Sequence, residues 1–231
     1  MAKKKYTGIK PNYKKKSSPT VENTAIHPSG VPQTTLTILD NRCDLTWIWT
    51  LESELHCGSG LSRPGHADHL VYLNTEGNPE ISGDAIKGAL RMSAEQILAW
   101  LGYSQDYEEK PTENSLEETT ARKTTEPRLW PLKLLFGQVA QVHFYPAEAL
   151  EKINHRPVRA STAIHSSTGI AKDNSLRLTE LVPLGTMFRC RCTLWIPTEY
   201  QPILLTLLIS ALVATDSIGG KRSIGWGRVK L

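Results

Sequence analysis

This chain has little of what marks a secreted, membrane or nucleotide-binding protein. None of its four cysteines forms a Cys-x-x-Cys pair, which excludes the usual zinc-ribbon and thioredoxin-like spacings. Cys190 and Cys192, two residues apart, read as small core residues on one face of a strand, and a reducing cytoplasm suits such thiols. The N-terminal lysines are not followed by the apolar stretch of a signal peptide. The best apolar run, Ile203 to Ala214, has the length of a buried helix rather than a bilayer span, so a soluble protein with no membrane partner is expected. No Gly-x-Gly-x-x-Gly opens a helix, and Gly220 is not followed by the Gly-Lys-Ser/Thr of a phosphate loop, so a common nucleotide fold is excluded.

Acids are also scarce at one end. Glu22 is the one acid before residue 34, whereas seven of the 27 cations (Lys3, Lys4, Lys5, Lys10, Lys14, Lys15 and Lys16) lie there, leaving 20 cations against 22 acids in the remainder. Residues 1–35, rich in lysine, proline, serine and threonine, bury too little apolar surface to offset their ordering entropy, and read as a basic disordered tail able to meet a polyanion. Residues 36–231 are long enough for one elaborated domain, interrupted by a polar, Glu- and Thr-rich insertion at 103–128.

What is present is a sequence of alternating elements. Residues 43–55 have the composition of a strand, and 58–79 that of a long loop containing a short extended piece at 69–73. Ser82 caps a helix in which Ile86, Leu90, Ala94, Ile97 and Leu101 recur at helical spacing up to Gly102. Residues 132–145 read as a turn and a strand. In the strand at 188–195, Phe188, Cys190, Cys192 and Leu194 alternate with Arg189, Arg191, Thr193 and Trp195, giving a buried face and a basic, aromatic one. A second helix at 199–214 and a final strand at 226–231 complete the order strand, helix, strand, strand, helix, strand. That order predicts an α+β ferredoxin-like, RNA-recognition-motif core: a four-stranded antiparallel sheet backed by two helices.

The residues from Ser217 to Lys230 combine four glycines, four cations and one tryptophan. Gly219, Gly220 and Gly225 permit a close backbone approach, and Lys221, Arg222 and Arg228 bring charge, so phosphate is the ligand this composition favours; a plain glycine-rich turn has equal claim. Lys87 and Arg91, four apart near the positive end of the first helix, are expected to join them, with Arg159 adding to the basic set. In the long loop His66 and His69 have the chemistry of a general acid–base pair, and with His56 and Cys57 the ligand types of a zinc site, although at irregular spacing; solvent-exposed loop histidines are the commoner case.

In order, Glu54-Leu-His-Cys-Gly-Ser-Gly, Ile81-Ser-Gly-Asp-Ala-Ile-Lys-Gly-Ala-Leu-Arg91, Leu135-Phe-Gly137, Thr168-Gly-Ile-Ala, Leu178-Thr-Glu-Leu-Val-Pro-Leu-Gly-Thr-Met-Phe188 and Ile218-Gly-Gly-Lys-Arg-Ser-Ile-Gly-Trp-Gly-Arg228 resemble the RAMP superfamily of CRISPR-associated proteins, above all the guide-RNA-binding backbone subunits of type III effectors. The resemblance runs from about residue 43 to the end and leaves out the tail and the insertion. It implies a prokaryotic, cytoplasmic ribonucleoprotein in antiviral defence, with guide RNA, target RNA and other effector subunits, related backbone subunits among them, as partners. It also implies a thumb-like hairpin and a loop aspartate that cleaves target RNA with Mg²⁺ or another divalent metal. In this chain that aspartate corresponds to Asp68. An aspartate can hold such an ion or accept a proton from a ribose 2′-hydroxyl. The alternatives are a noncatalytic capping or spacer subunit and a guide-maturing endoribonuclease; the latter acts alone and needs a histidine or lysine near the glycine loop.

Overall fold

The computed structural model describes residues 34–103, 130–137 and 141–231; the basic tail, apart from its last two residues, and the polar insertion, apart from Tyr103, lie outside them. The central strand pair is β2 (Arg42–Leu51) against β8 (Met187–Trp195), antiparallel, with Trp47 opposite Cys190 and Trp49 opposite Phe188. Alternation puts Cys43, Leu45, Trp47, Trp49 and Leu51 on one face with Phe188, Cys190, Cys192 and Leu194, and all are buried. The thiols are core residues: burial pushes Cys192 and Cys57 up to about 12, so neither is a thiolate at neutral pH. The Trp47 and Trp49 rings meet edge to face at 5.6 Å. Among the described residues their indole N–H groups have no acceptor, which costs about 1–3 kcal/mol each, and the burial of two large rings offsets it.

Helix α1 (Gly83–Trp100) starts where the Ser82 hydroxyl accepts the Ala85 amide, and buries Ile86, Ala89, Leu90, Ser93, Ala94 and Leu98. Leu101, assigned to that stripe by spacing, is instead the cap residue and is exposed. Residues 132–145 hold more helix than expected: α2 (Trp130–Phe136) precedes β4 (Val142–Phe144), and Leu132, Leu135 and Phe136 are buried. β4 and β5 (Ala147–Ala149) pair with successive parts of β8, two pieces of one broken strand, and β3 (Glu80–Ile81) pairs outside β5. Helix α3 (Gln201–Ala214) packs on α1 and is tied to it by Ser93 Oγ and Thr215 Oγ1 at 2.9 Å.

The last strand, β9 (Val229–Lys230), is shorter than its sequence run because Gly227 turns away at φ 73° to close the preceding loop; it pairs with the C-terminal end of β2. β1 (Thr35–Leu39), which composition did not mark, pairs with the other end of the same β2 edge, and its first residue is the last of the segment read as tail. The succession β2, α1, β4–β5, β8, α3, β9, with β9 beside β2, β2 beside β8 and β8 beside β4–β5, is the ferredoxin-like arrangement. Outside it, β6 (Val158–Ser161) and β7 (Arg177–Glu180) form a separate two-stranded sheet whose connecting residues expose Ile164, Ile170 and Leu176, the position of a thumb-like hairpin. Among the described residues no helix is long and apolar enough to cross a membrane.

Candidate functional site

After α3 the chain closes a loop on itself and fastens it to the residues following β2. Ile218 donates to the Gly227 carbonyl, Gly227 to that of Glu54 and Gly220 to that of His56, at 2.8, 2.8 and 2.9 Å. Left-handed backbone at Gly219 and Gly227 explains two of the glycines, and packing explains them again: a Cβ on Gly219 would lie 2.7 Å from the His56 carbonyl oxygen, and one on Gly227 would strike the Ile218 carbonyl. Gly225 has open space but sits at φ 89°, and Gly220 has room for a methyl. Gly219, which composition assigned to ligand approach, therefore serves the loop's own closure, as Gly227 does, while Gly220 leaves room beside the cleft.

Gly219 and Gly220 line a cleft of about 210 Å³ with His56, Cys57, Gly58, Tyr72, Ser82 and Ala85. The glycine loop and the first turn of α1 thus share a wall. His56 Nδ1 lies 2.9 Å from the Glu180 carbonyl; a carbonyl only accepts, so Nδ1 carries the proton and Nε2 keeps its lone pair. Burial, followed in size by the opposing Glu180 carbonyl contact and by the neighbours His69 and Lys221, leaves the ring below the usual histidine range, neutral at pH 7.

The cations spread over this surface rather than meeting at a point. Arg222 reaches α1, its Nη1 being 3.4 Å from Met92 Sδ, but Lys221, in left-handed backbone, donates to Thr179 Oγ1 at 3.3 Å and lies 4.8 Å over the Trp226 ring. Lys87 donates to the Gly137 carbonyl at the end of α2. Arg91 pairs with Glu95 at 2.7 Å, Arg159 makes a two-pronged bond to Glu54 at 2.8 and 2.9 Å, and Arg228 lies 3.7 Å from Glu52.

In the long loop Asp68 is exposed, and its Oδ2 accepts the Leu178 amide at 2.8 Å while its own amide and that of His69 donate to the Leu178 carbonyl. His66 and His69 are not a pair: His66 faces the Glu180 carboxylate at 3.6 Å, and the His69 ring stands edge-on to His56 at 6.2 Å. The zinc reading of His56, Cys57, His66 and His69 does not hold, since the described residues contain no group of three or more His, Cys, Asp or Glu placed to hold a metal, and Cys57 is a buried thiol.

Glu180 is the residue that sequence reasoning missed. It is buried, and its carboxylate accepts Arg156 Nε at 2.8 Å and the Val71 amide at 3.0 Å. Burial pushes the group up, but Arg156, the Val71 amide and His66 together hold it below the usual carboxylate range. An acid flanked by Thr179 and Leu181 in a strand with buried neighbours was the available signal.

The family model of the RAMP superfamily matches residues 50–230. A solved structure described as the type III-B Cmr-beta bound to cognate target RNA resembles the chain with a TM-score of 0.57 at 12% identity, covering 81% of this chain and 95% of that one. No curated protein sequence matches.

Proposed function

We propose that this chain, which belongs to the RAMP superfamily, is an RNA-binding backbone subunit of a type III CRISPR effector that holds guide RNA across the cleft between the glycine loop and the start of α1. One observation carries the reading: Gly219 and Gly220 meet the capped first turn of an 18-residue helix in a single cleft, with Lys221 and Arg222 on the flanking loop. Helix-start amides and an open glycine backbone accept phosphate, and the Nε2 lone pair of neutral His56 suits a ribose hydroxyl. The fold likeness to a type III-B Cmr-beta structure bound to target RNA supports an RNA-binding effector subunit, with target RNA and neighbouring effector subunits as further partners.

Target cleavage is assigned to Asp68. Its second carboxylate oxygen makes no hydrogen bond to the described residues, and one carboxylate can hold Mg²⁺ or another divalent ion when substrate oxygens and water complete the shell. Bound there, such an ion would stabilise charge developing on the scissile phosphate. Asp68 itself orients the loop against Leu178; that bond is also what a noncatalytic spacer subunit would keep. A guide-maturing endoribonuclease is the second reading, favoured by the presence of His56, a neutral base, beside the glycine loop.

Lys221→Glu with Arg222→Glu tests the first reading. Both side chains are at the surface, so melting temperature should hold while guide affinity falls about tenfold or more and its salt dependence flattens. Undiminished affinity in a folded variant makes the loop only a turn. Cleavage of repeat RNA by the isolated chain, lost in His56→Ala, would instead favour the maturing enzyme.

A further inference from the structure

The side of the sheet facing away from the helices carries a second set of chemistry. Alternation in β2, β8, β4 and β5 places Arg42, Asp44, Thr46 and Ile48 beside Trp195, Thr193, Arg191 and Arg189, and these in turn beside His143 and Glu148. Tyr145 joins them: the Arg191 guanidinium lies 4.1 Å over its ring, and the His143 ring meets it edge-on at 4.4 Å. Arg189, Arg191, His143 and Trp195 are exposed, Trp195 at 49%. None of these residues lines the glycine-loop cleft.

Arg42, Arg189 and Arg191 share this face with Asp44, with Glu148 opposite Arg189 and with Glu80 beside Glu148, so what points to an anion is which arginines are left unpaired. Asp44 is already taken by Arg42 and by the Thr193 hydroxyl. Among the described residues neither Arg189 nor Arg191 is bonded to a carboxylate, whereas Arg91, Arg159 and Arg228 near the cleft each are. A protein partner would ask for a charge-depleted apolar centre. Here Ile48 is 9% exposed beneath its neighbours, and Trp195 is the one widely exposed apolar side chain of the set.

We propose that this outer face is a second nucleic-acid surface, on which single-stranded RNA stacks bases on Trp195 and on the Arg191–Tyr145 pair and lays phosphates against Arg189. A guanidinium held over an aromatic ring presents its other side to a base, and an open antiparallel sheet with basic and aromatic side chains is a known platform for unpaired strands. The surface adds to the guide-binding reading and does not depend on the same residues.

The test uses the full chain with a labelled unstructured oligouridine, and its DNA counterpart, in a polarisation titration over a salt series. Wild type, Arg189→Gln with Arg191→Gln, Trp195→Phe and Lys221→Glu with Arg222→Glu are compared, each with a thermal melt. Ultraviolet crosslinks are mapped by mass spectrometry. Removing the two arginines should weaken oligonucleotide binding about tenfold with a shallower salt slope, and wild-type crosslinks should fall on Trp195 or Tyr145. A preference for RNA over DNA would add ribose contacts, and equal binding would leave stacking and phosphate. Unchanged affinity in the folded arginine variant, without crosslinks on those rings, overturns the proposal; so does loss of a co-purifying protein with RNA affinity intact. If loop variants lose RNA and sheet variants do not, this surface fails while the guide reading stands. The reverse pattern separates them the other way.

Discussion

Glu180 shows how much of the site depends on one side chain whose role no spacing reveals. Its backbone carbonyl sets the His56 tautomer and its carboxylate ties Arg156 and the Val71 amide to the end of β7. Glu180→Gln should cost about 1.5–3 kcal/mol, read by chemical denaturation, because a charged acceptor is lost at a buried position. The folded state holds this carboxylate below its ordinary 4.5, so its contribution is full above that pH and is lost as pH falls through the lowered folded value. Wild type should therefore lose its advantage over Glu180→Gln between neutral pH and acid; a constant gap would contradict the assignment. The glycines divide on equally local grounds. Gly219→Ala meets the His56 carbonyl at positive φ and should destabilise by about 1–3 kcal/mol, whereas Gly220→Ala should stay within about 0.5 kcal/mol, compared by thermal melts. Composition could mark both as loop glycines; which of them touches its own backbone depends on the partner strand and was not readable.

At the scale of elements, the long loop is ordered by β7. Asp68, Val71 and the His69 carbonyl each bond to residues 178–180, more than a hundred positions away in sequence. This is why local patterns described a loop and could not describe its shape. Asp68→Asn retains an acceptor for the Leu178 amide and removes the charge, so melting and guide binding should persist while cleavage of end-labelled target in the assembled complex falls about a hundredfold or more. A cleavage ladder equal to wild type leaves Asp68 as a loop tie. The periodic elements α1 and β8 were legible because burial follows their period, and α3 because an apolar run of its length reads as a buried helix. β1 and α2 were not: β1 is an edge strand with Leu36, Ile38 and Leu39 exposed, and α2, at seven residues, is too short to show a helical repeat.

Over the whole molecule the order of elements was enough to give the ferredoxin-like sheet, since that topology fixes which strands neighbour each other. The cleft was half legible. Both its segments stood out as motifs, but the Lys87, Arg91, Lys221 and Arg222 side chains, expected to converge, are held by Gly137, Glu95, Thr179 and Met92 respectively. Beyond the described residues, the seven lysines of the N-terminal segment carry the chain's excess of positive charge. Deleting residues 2–18 should weaken RNA binding and flatten its salt dependence, and equal slopes would assign the segment to another role. The central claim is that this chain holds guide RNA within a type III effector. Its most direct test is sequencing the RNA that co-purifies with the full chain from its native host. Discrete guides, each joining part of a repeat to a spacer, are predicted, and should be depleted with the Lys221→Glu, Arg222→Glu variant. Random fragments of cellular RNA, or no RNA at all, would contradict the account.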